Sequence, residues 1–292
     1  MHLFIQAVIL GLLTGGVYAL MASGQTLIFG VMKVVNLAQG AFVIAAAYLT
    51  YTLFTRFGVD PFLAILITTP LLFGLGVLVQ VAFLRPLRRE DASELSLLVT
   101  FAVALGIEGV LAVSYQTTYR SVQPSYANTS FTVAGYQINA VRLYACLLSL
   151  AVLAGLYLLL NRTRFGRSVR ATVQNPTSAT LLGVNSSVVS AVGFGLGAAT
   201  AAAAGSIYGV LYPFYPGSHY DLISRLLSIV VLGGLGSVGG AIVGAGIMGV
   251  GSAVIAVEAS PTWSDFSFFV VLLLVLLLRP EGLFGARARG AL

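Results

Sequence analysis

A few polar side chains of this chain fall inside long apolar runs, and they are the first candidates for chemistry. Glu108 is the clearest case: it lies in the middle of the apolar stretch 95–115, flanked by Gly106 and Gly109. A charge at the centre of a membrane-length segment costs about 2.5–3.5 kcal/mol on insertion scales, so this side chain is expected to face protein or a cavity. Glu108 either lines a path for a solute or is a protonated or hydrogen-bonded structural carboxylate, and the sequence leaves both open.

Two amides mark the end of the first long apolar segment. Asn36 and Gln39, followed by Gly40, lie where a helix that starts near the N-terminus should break, and Gln25 and Lys33 precede them. Lys33 is expected to extend to the membrane interface. Amide groups can satisfy the backbone groups that a helix break frees, and they can also line a route for a solute. The sequence favours the first role slightly and leaves the second open.

Three more polar residues, His219, Asp221 and Arg225, stand at the outer end of a later apolar segment. Charges at the end of a segment are usually solvated, which is the favoured interpretation, while a gate or a partner contact is the alternative. His2 and His219 are far apart in the sequence, and Cys146 is the single cysteine. We therefore expect no metal site.

These residues do not match the constellation of an enzyme. The sequence has no HExxH or GxSxG motif, no carboxylate pair at a useful spacing and no GxxxxGK phosphate loop. We therefore expect no catalytic residue, no cofactor and no ATP hydrolysis by this chain. A channel or permease needs only a shaped and gated path, so a transport protein is the favoured class and a non-transporting membrane scaffold is the alternative.

The composition explains why the candidates are so few. Of the 292 residues, 58% are hydrophobic and 8% are charged, whereas an average soluble domain is about 25% charged. Such a chain cannot cover a soluble globule with a hydrated surface, and its long apolar runs differ from the alternating strands of a membrane barrel. The sequence predicts an all-α polytopic membrane protein, a single transmembrane domain over residues 1–292 that is surrounded by the lipid bilayer.

Charge-free runs divide the chain into membrane segments, because a helix needs about 20 apolar residues to cross the bilayer core. The candidate spans are 3–30, 39–55, 61–84, 95–115, 141–160, 188–211, 223–257 and 262–278. The spans 3–30 and 223–257 are too long for one straight pass. We therefore expect eight to ten membrane segments with interrupted helices.

Arginine clusters predict the orientation. Three groups of basic residues lie in two connections and the tail: Arg85, Arg88 and Arg89; Arg162, Arg164, Arg167 and Arg170; and Arg279, Arg287 and Arg289. By the positive-inside rule these groups face the cytoplasm, which explains the net charge of +6 better than a nucleic-acid partner does. The loop 161–187 and the tail 279–292 are then cytoplasmic, and the polar and aromatic loop 116–140 lies outside.

Two segments that lie 200 residues apart share a pattern. VMKVVNLAQGAFVIA at 31–45 and VLGGLGSVGGAIVGA at 231–245 have five identical positions and both follow an overlong apolar stretch. Transporters often contain repeats with interrupted helices near the membrane midplane, where solute sites tend to lie. We therefore predict an internal repeat and a path between the two segments. The candidate path residues are Asn36, Gln39, Gly40, Glu108, Gly233, Gly236 and Gly240.

The loop 161–187 contains a second kind of candidate site. It is basic at its start and then uncharged. Pro176 suits the first turn of a short helix and Gly183 suits its end. Small residues fall on one side of this predicted helix and leucines on the other. A helix of this kind at the cytoplasmic face suits a groove in another protein, and a helix that rests on lipid is the alternative.

These motifs resemble those of one transporter family. Thr177, Ser178 and Ala179, followed by Gly183, are similar to a degenerate form of the Glu-Ala-Ala coupling motif of ABC-importer permeases. The segments GVMKVVNLAQGAF at 30–42, GRSVRATVQNPTSATLLGVN at 166–185 and the motif at 231–245 occur in one order over most of the chain. They resemble the permease subunits of branched-chain amino-acid importers, a family that also includes importers of urea and short amides.

The resemblance implies a division of labour. The chain would pair with a second homologous permease subunit in the inner membrane of a bacterium. Two ATP-binding subunits would dock below, and a periplasmic binding protein would deliver leucine, isoleucine or valine. By position, the residues that match the family's coupling loop are Arg167, Arg170, Pro176, Ala179 and Gly183. Urea, short amides or another small neutral solute remain alternative substrates, since a path for a neutral solute needs few charges.

Overall fold

The computed structural model describes residues 1–87, 92–127, 129–133, 135–279 and 281–284. Eight helices of this part of the chain are long and apolar enough to cross a membrane. They are α1 (His2–Met32), α2 (Gln39–Phe57), α3 (Pro61–Val79, continued by the π-helical turn Gln80–Leu84), α4 (Ala92–Tyr115), α5 (Ala140–Arg162), α8 (Ser186–Leu211), α10 (Val238–Glu258) and α11 (Pro261–Leu278). The predicted all-α polytopic membrane fold is therefore confirmed.

The shorter elements lie in the connections. They are the antiparallel hairpin of β1 (Ser130–Val133) and β2 (Tyr136–Asn139), the helices α6 (Arg164–Gln174), α7 (Pro176–Leu181) and α9 (His219–Gly233), and the 3₁₀ turn Pro216–Ser218. The strands fall inside the predicted outer loop 116–140, and α6 and α7 form most of the loop 161–187. Arg88, Arg89, Arg287 and Arg289, and with them most of the predicted tail, lie outside the described residues.

One of the two overlong apolar stretches is interrupted and the other is not. The stretch 223–257 breaks between Gly233 and Val238, as its glycine run predicts. The expectation that 3–30 is too long for one pass is wrong, because α1 is a single helix of 31 residues. At 1.5 Å per residue α1 is about 46 Å long, which exceeds the apolar thickness of a bilayer. The excess lies at its start, where His2 and Gln6 bond to the backbone of the hairpin.

The order of elements supports the predicted repeat. In each copy a helix ends at a residue with a positive φ, a short break follows, and a second helix leads to a third that begins with proline at its first position. In the first copy the sequence is α1, the break 33–38, α2 and α3 with Pro61. In the second copy it is α9, the break 234–237, α10 and α11 with Pro261. The two prolines are 200 residues apart, which is the same offset as the shared motifs.

The two ends of the bundle are chemically different. One end, called the hairpin face, holds the hairpin, the N-terminus and Asp60. The other, called the basic face, holds α6 and α7, and its described arginines are Arg85, Arg162, Arg164, Arg167, Arg170 and Arg279. Residues 282–284 fold back under this end, where the backbone N–H of Leu283 donates to the carbonyl of Leu232 at 2.8 Å.

A tyrosine fixes the loop on the hairpin face. The hydroxyl of Tyr126 donates to Oδ2 of Asp60 at 2.6 Å, and the other carboxylate oxygen of Asp60 caps α3 by accepting from the N–H of Phe62. Burial, together with the hydrogen bond to this carboxylate, raises the pKa of the Tyr126 hydroxyl. The hydroxyl therefore remains protonated and donating at physiological pH, so the loop stays attached to the start of α3.

Small residues bring the central helices into backbone contact. The helix α8 is the most buried of the spanning helices, and its Gly205 faces the carbonyl of Val43 in α2 so closely that a Cβ would lie 2.1 Å from the oxygen. At the crossing of α1 and α10, a Cβ on Gly11 would lie 2.6 Å from Cα of Val250. In a bilayer, where lipid is as apolar as leucine, such close packing holds helices together.

The α1–α10 crossing provides a matched pair of variants. A methyl group in Gly249→Ala would lie 2.6 Å from the carbonyl oxygen of Gly11, whereas Gly251→Ala meets no atom within 4 Å. We expect Gly249→Ala to lower the free energy of unfolding by about 1–3 kcal/mol because it overpacks the crossing. Gly251→Ala should leave it unchanged or raise it by up to about 1 kcal/mol. Melting temperatures in detergent test this, and equal values for the two variants would contradict the crossing.

Candidate translocation and docking sites

The break between α1 and α2 is closed by amide hydrogen bonds. Gln39 Nε2 donates to the carbonyl of Gly197 in α8 at 3.1 Å, and its Oε1 accepts from Nδ2 of Asn36 at 3.3 Å. Oδ1 of Asn36 accepts from the N–H of Ala38 at 3.0 Å. Asn36 is 1% exposed and Gln39 is 0% exposed, so neither side chain borders open space in this conformation.

Two further side chains complete this arrangement, which we call the amide lock (Gln25, Asn36, Gln39 and Thr100). With its amide oriented to satisfy both groups, Gln25 donates to the carbonyl of Asn36 at 3.0 Å and accepts from the N–H of Asn36 at 3.1 Å. The N–H of Leu37 donates to Oγ1 of Thr100 in α4 at 3.2 Å. The contacts thus match the first of the two predicted roles, satisfaction of the backbone that the break frees.

The candidate path glycines lie at close backbone contacts. A Cβ on Gly40 would lie 2.7 Å from the carbonyl oxygen of His219, and a Cβ on Gly240 would lie 2.0 Å from that of Gly233. These three glycines therefore bring helices together around the two breaks. Gly236, with φ +86°, is different because it borders a cavity of about 580 Å³ between α1, α5, α6 and the start of α10.

Glu108 faces the first turn of α9. Its Oε2 accepts from the hydroxyl of Tyr220 at 3.1 Å and lies 3.3 Å from Nε2 of His219. The histidine is 1% exposed and the carboxylate side chain is 26% exposed. The carboxylate is therefore held by protein groups, as the structural interpretation predicts, and it also reaches the surface of the chain.

An ion pair lies one and a half turns further along α9. Arg225 Nη2 donates to Oδ1 of Asp265 in α11 at 2.6 Å, and Nη1 donates to the hydroxyl of Tyr18 in α1 at 2.9 Å. The guanidinium carbon lies 5.5 Å from the ring centre of Phe268. Tyr18 is in the middle of α1, so this pair is at membrane depth. The interpretation of His219 and Arg225 as solvated loop charges is therefore wrong: both belong to α9.

These groups form one polar surface, the polar face of α9. It consists of Tyr220, Asp221, Ser224 and Arg225, with Glu108 of α4 and Asp265 of α11 beside it. The four α9 positions recur at one-turn spacing, and all six side chains are partly or fully exposed on this chain. Charged groups at membrane depth are too costly to face lipid, so this surface must face water or another protein.

The sequence does contain a pattern that predicts this polar face, but the pattern is not apparent when 223–257 is treated as one apolar segment. Polar positions 221, 224, 225 and 228 follow a helical period. That period is visible only when α9 is treated as a separate short helix that starts at His219. The preceding segment 212–218 enters the protein without regular helix, and Phe214 and the 3₁₀ turn are buried there. Irregular backbone of this kind is tolerated at membrane depth only where protein or a cavity surrounds it.

The basic face presents the two short helices. α7 begins at Pro176, with the Asn175 side chain as its cap, and the chain leaves it through Gly183 at φ +83°. The short helix predicted from these residues is thus present. Ala179 is buried at 2% exposure and packs inward, whereas Leu181 and Leu182 are 85% and 83% exposed.

The two coupling-loop arginines have different surroundings. Arg170 donates to the carbonyl of Leu160 and to Oδ1 of Asn161, so it caps the C-terminal end of α5. This contact compensates the partial negative charge of a helix C-terminus. Arg167 is exposed. Gly166 allows the approach of α6 to α5, since a Cβ there would lie 1.9 Å from the Leu160 oxygen.

Fold and surface together define a multi-pass membrane protein that carries a polar face at membrane depth and, at one end, a short helix with exposed leucines. A family model described as the permease component of branched-chain amino acid transport systems matches residues 7–276. The match covers most of the chain, and the chain therefore belongs to this family.

Known relatives agree with this assignment. The high-affinity branched-chain amino acid transport system permease protein BraD of Pseudomonas aeruginosa is 28% identical and is aligned over 97% of this chain and 96% of BraD. The corresponding LivH of Escherichia coli is 28% identical, with coverage of 97% and 96%. The autoinducer 2 import system permease protein LsrC of Escherichia coli is 33% identical over 44% of this chain and 40% of LsrC.

The contacts of Glu108 lead to a prediction about its two simplest variants. Glu108→Gln keeps an acceptor for Tyr220 and a polar neighbour for the buried His219, so we expect it to fold and insert with nearly unchanged stability. Glu108→Ala leaves His219 buried without this neighbour, which should cost about 1–3 kcal/mol. Melting temperatures in detergent should therefore fall in the order wild type, Gln, Ala. A Gln variant that is less stable than the Ala variant would argue against this role of the carboxylate.

Proposed function

We propose that this chain is the membrane-spanning permease subunit of an ABC importer that passes leucine, isoleucine and valine across the cytoplasmic membrane. ATP hydrolysis in separate subunits drives the passage, and this chain contributes no catalytic group and no cofactor. The polar face of α9 is the observation that carries the proposal. It is an exposed surface at membrane depth that carries charges of both signs, in a chain that belongs to a permease family.

The partners follow from the three exposed surfaces. A second homologous permease subunit covers the polar face of α9 and completes the path. The basic face is cytoplasmic by the positive-inside rule, so the tail is cytoplasmic and two ATP-binding subunits dock against α7. The hairpin face is then periplasmic in a bacterial inner membrane, where a substrate-binding protein delivers the solute.

The path that we propose differs from a route between the two breaks. The amide lock and the contacts of Gly40, Gly233 and Gly240 support a structural role for these residues in the conformation described here. Glu108 remains a path residue because it reaches the polar face of α9. Gly236 lies at the cytoplasmic end of the bundle, where its cavity offers room for the movement of α6 against α10.

A solute other than an aliphatic amino acid is the second candidate. LsrC is similar to this chain over less than half of its length and is named for the import of autoinducer 2. A permease that is similar to part of this chain is therefore named for a different solute, so urea, short amides and other small neutral solutes are included in the test. A membrane scaffold without transport activity is the remaining outcome.

Solute uptake distinguishes these functions. The tagged chain, purified with its associated subunits and reconstituted into liposomes with its binding protein, should take up labelled leucine when ATP is enclosed on the basic side. We expect isoleucine and valine to compete and urea and acetamide not to compete. Uptake of urea or acetamide without leucine would favour the second candidate. A complex that moves none of these solutes would favour the scaffold.

The exposed leucines of α7 predict how docking can be disrupted. Leu181→Glu with Leu182→Glu places two charges where an apolar contact with the ATP-binding subunit is proposed, without touching the buried Ala179. We expect the permease to insert normally and the co-purified ATP-binding subunit to fall by about tenfold or more, since desolvating two charges costs several kcal/mol.

A matched pair on the opposite end serves as the control for docking. Leu3 and Phe4 are adjacent, exposed apolar residues on the hairpin face. Leu3→Glu with Phe4→Glu should leave the amount of co-purified ATP-binding subunit unchanged. If the α7 variant retains as much of this subunit as the control, α7 is not the docking surface.

A further inference from the structure

We propose that Arg225 and Asp265 form an exchange site for a zwitterion. During passage the carboxylate of the substrate binds the Arg225 guanidinium in place of Asp265, and the substrate ammonium group binds the released Asp265 carboxylate. This inference rests on the proposed function, because it assigns the amino-acid specificity of the path to two residues of the polar face of α9.

The pair is open to a ligand on one side. The guanidinium has five N–H groups, and in the part of the chain that the structure describes two of them have acceptors, the Tyr18 hydroxyl and Asp265. The Arg225 side chain is 26% exposed and that of Asp265 is 60% exposed. A carboxylate that approaches from the exposed side therefore finds free donors in the planar arrangement that binds carboxylates well.

The two members of the pair are held unequally. Arg225 is fixed by the Tyr18 hydroxyl and by the ring of Phe268, which itself meets the Tyr18 ring edge-to-face with centroids 6.1 Å apart. Asp265 lies in the second turn of α11, and Arg225 is the partner that holds it among the described residues. Separation of the pair thus moves Asp265 and leaves the guanidinium in place.

Charge balance makes an amino acid the fitting ligand. Each charge of the pair is costly alone at membrane depth, so an intruding anion or cation would leave one charge without a partner. An α-amino acid carries one charge of each sign on adjacent groups. Its insertion gives both residues a new partner and keeps the site neutral throughout. Urea and amides carry no charge and cannot replace either partner. The site would therefore bind amino acids and not the uncharged candidate substrates.

Removal of both charges together tests the proposal. In Arg225→Gln/Asp265→Asn both charges are removed together, so neither residue is left as an unpaired charge at membrane depth. We expect the assembled complex to keep its ATP-binding subunits, while leucine uptake falls by about tenfold or more, corresponding to one lost charge-assisted hydrogen bond. The control Arg142→Gln/Glu258→Gln removes the same charges at the ends of α5 and α10 and should transport leucine at the wild-type rate.

Wild-type leucine uptake by the double variant would overturn the inference and leave the proposed function intact. If the wild-type complex itself transports no leucine, the proposed function fails instead. If the double variant does not assemble, the protection of a nearby thiol from alkylation by bound leucine tests the inference instead. In a Cys146→Ala background, Ser224→Cys places a thiol next to Arg225 on the polar face of α9. Leucine should slow its alkylation by about threefold at two-thirds occupancy, and urea should not. Equal rates with leucine, with urea and without solute would overturn the inference.

Discussion

The structure depends on one constraint: a backbone N–H or C=O group without a partner is too costly at membrane depth. Most of the chain meets this constraint by forming long helices. Where a helix ends inside the bundle, side chains must replace the lost partners, which explains the amide lock between α1 and α2. Gln25, Asn36 and Gln39 use both the donor and the acceptor of their amides there. The cluster is polar in composition, yet its amide side chains are buried, and each of them donates and accepts a hydrogen bond within the protein.

A second consequence is that broken helices need close neighbours. At the break between α9 and α10, Gly233 and Gly240 allow the two backbones to come into contact. In α2, the missing side chain of Gly40 leaves room for the carbonyl oxygen of His219 at the start of α9. A side chain at any of these positions would separate the elements and expose the unpaired backbone groups of the break. The glycines that recur at matched positions of the two motifs therefore have a packing reason to be there, independent of any contact with solute.

Much of this fold could be predicted from the sequence, because charge is excluded from the apolar layer. Charge-free runs predict all eight spanning helices, and Pro176 and Gly183 predict α7. Apolar length alone does not show whether a helix is continuous: it predicts more than one pass for 3–30, where α1 is a single helix, and it does not separate α9 from α10 within 223–257. Without that separation, the polar face of α9 is not apparent either. The roles of Asn36 and Gln39 depend on partners such as Gly197, which is 158 residues from Gln39, and no local pattern reveals such a contact.

The charged groups beside α9 connect the fold with transport. A path for zwitterions must pass a group of each sign through an environment that penalises an isolated charge. Uniformly apolar walls would exclude such a solute, and a wall of one sign would retain it. Glu108 of α4 and Asp221 lie near the start of α9, and Arg225 pairs with Asp265 of α11 further along, so groups of both signs lie within a few turns of one short helix. A half-helix that enters the bundle through an irregular, buried segment can present such a row.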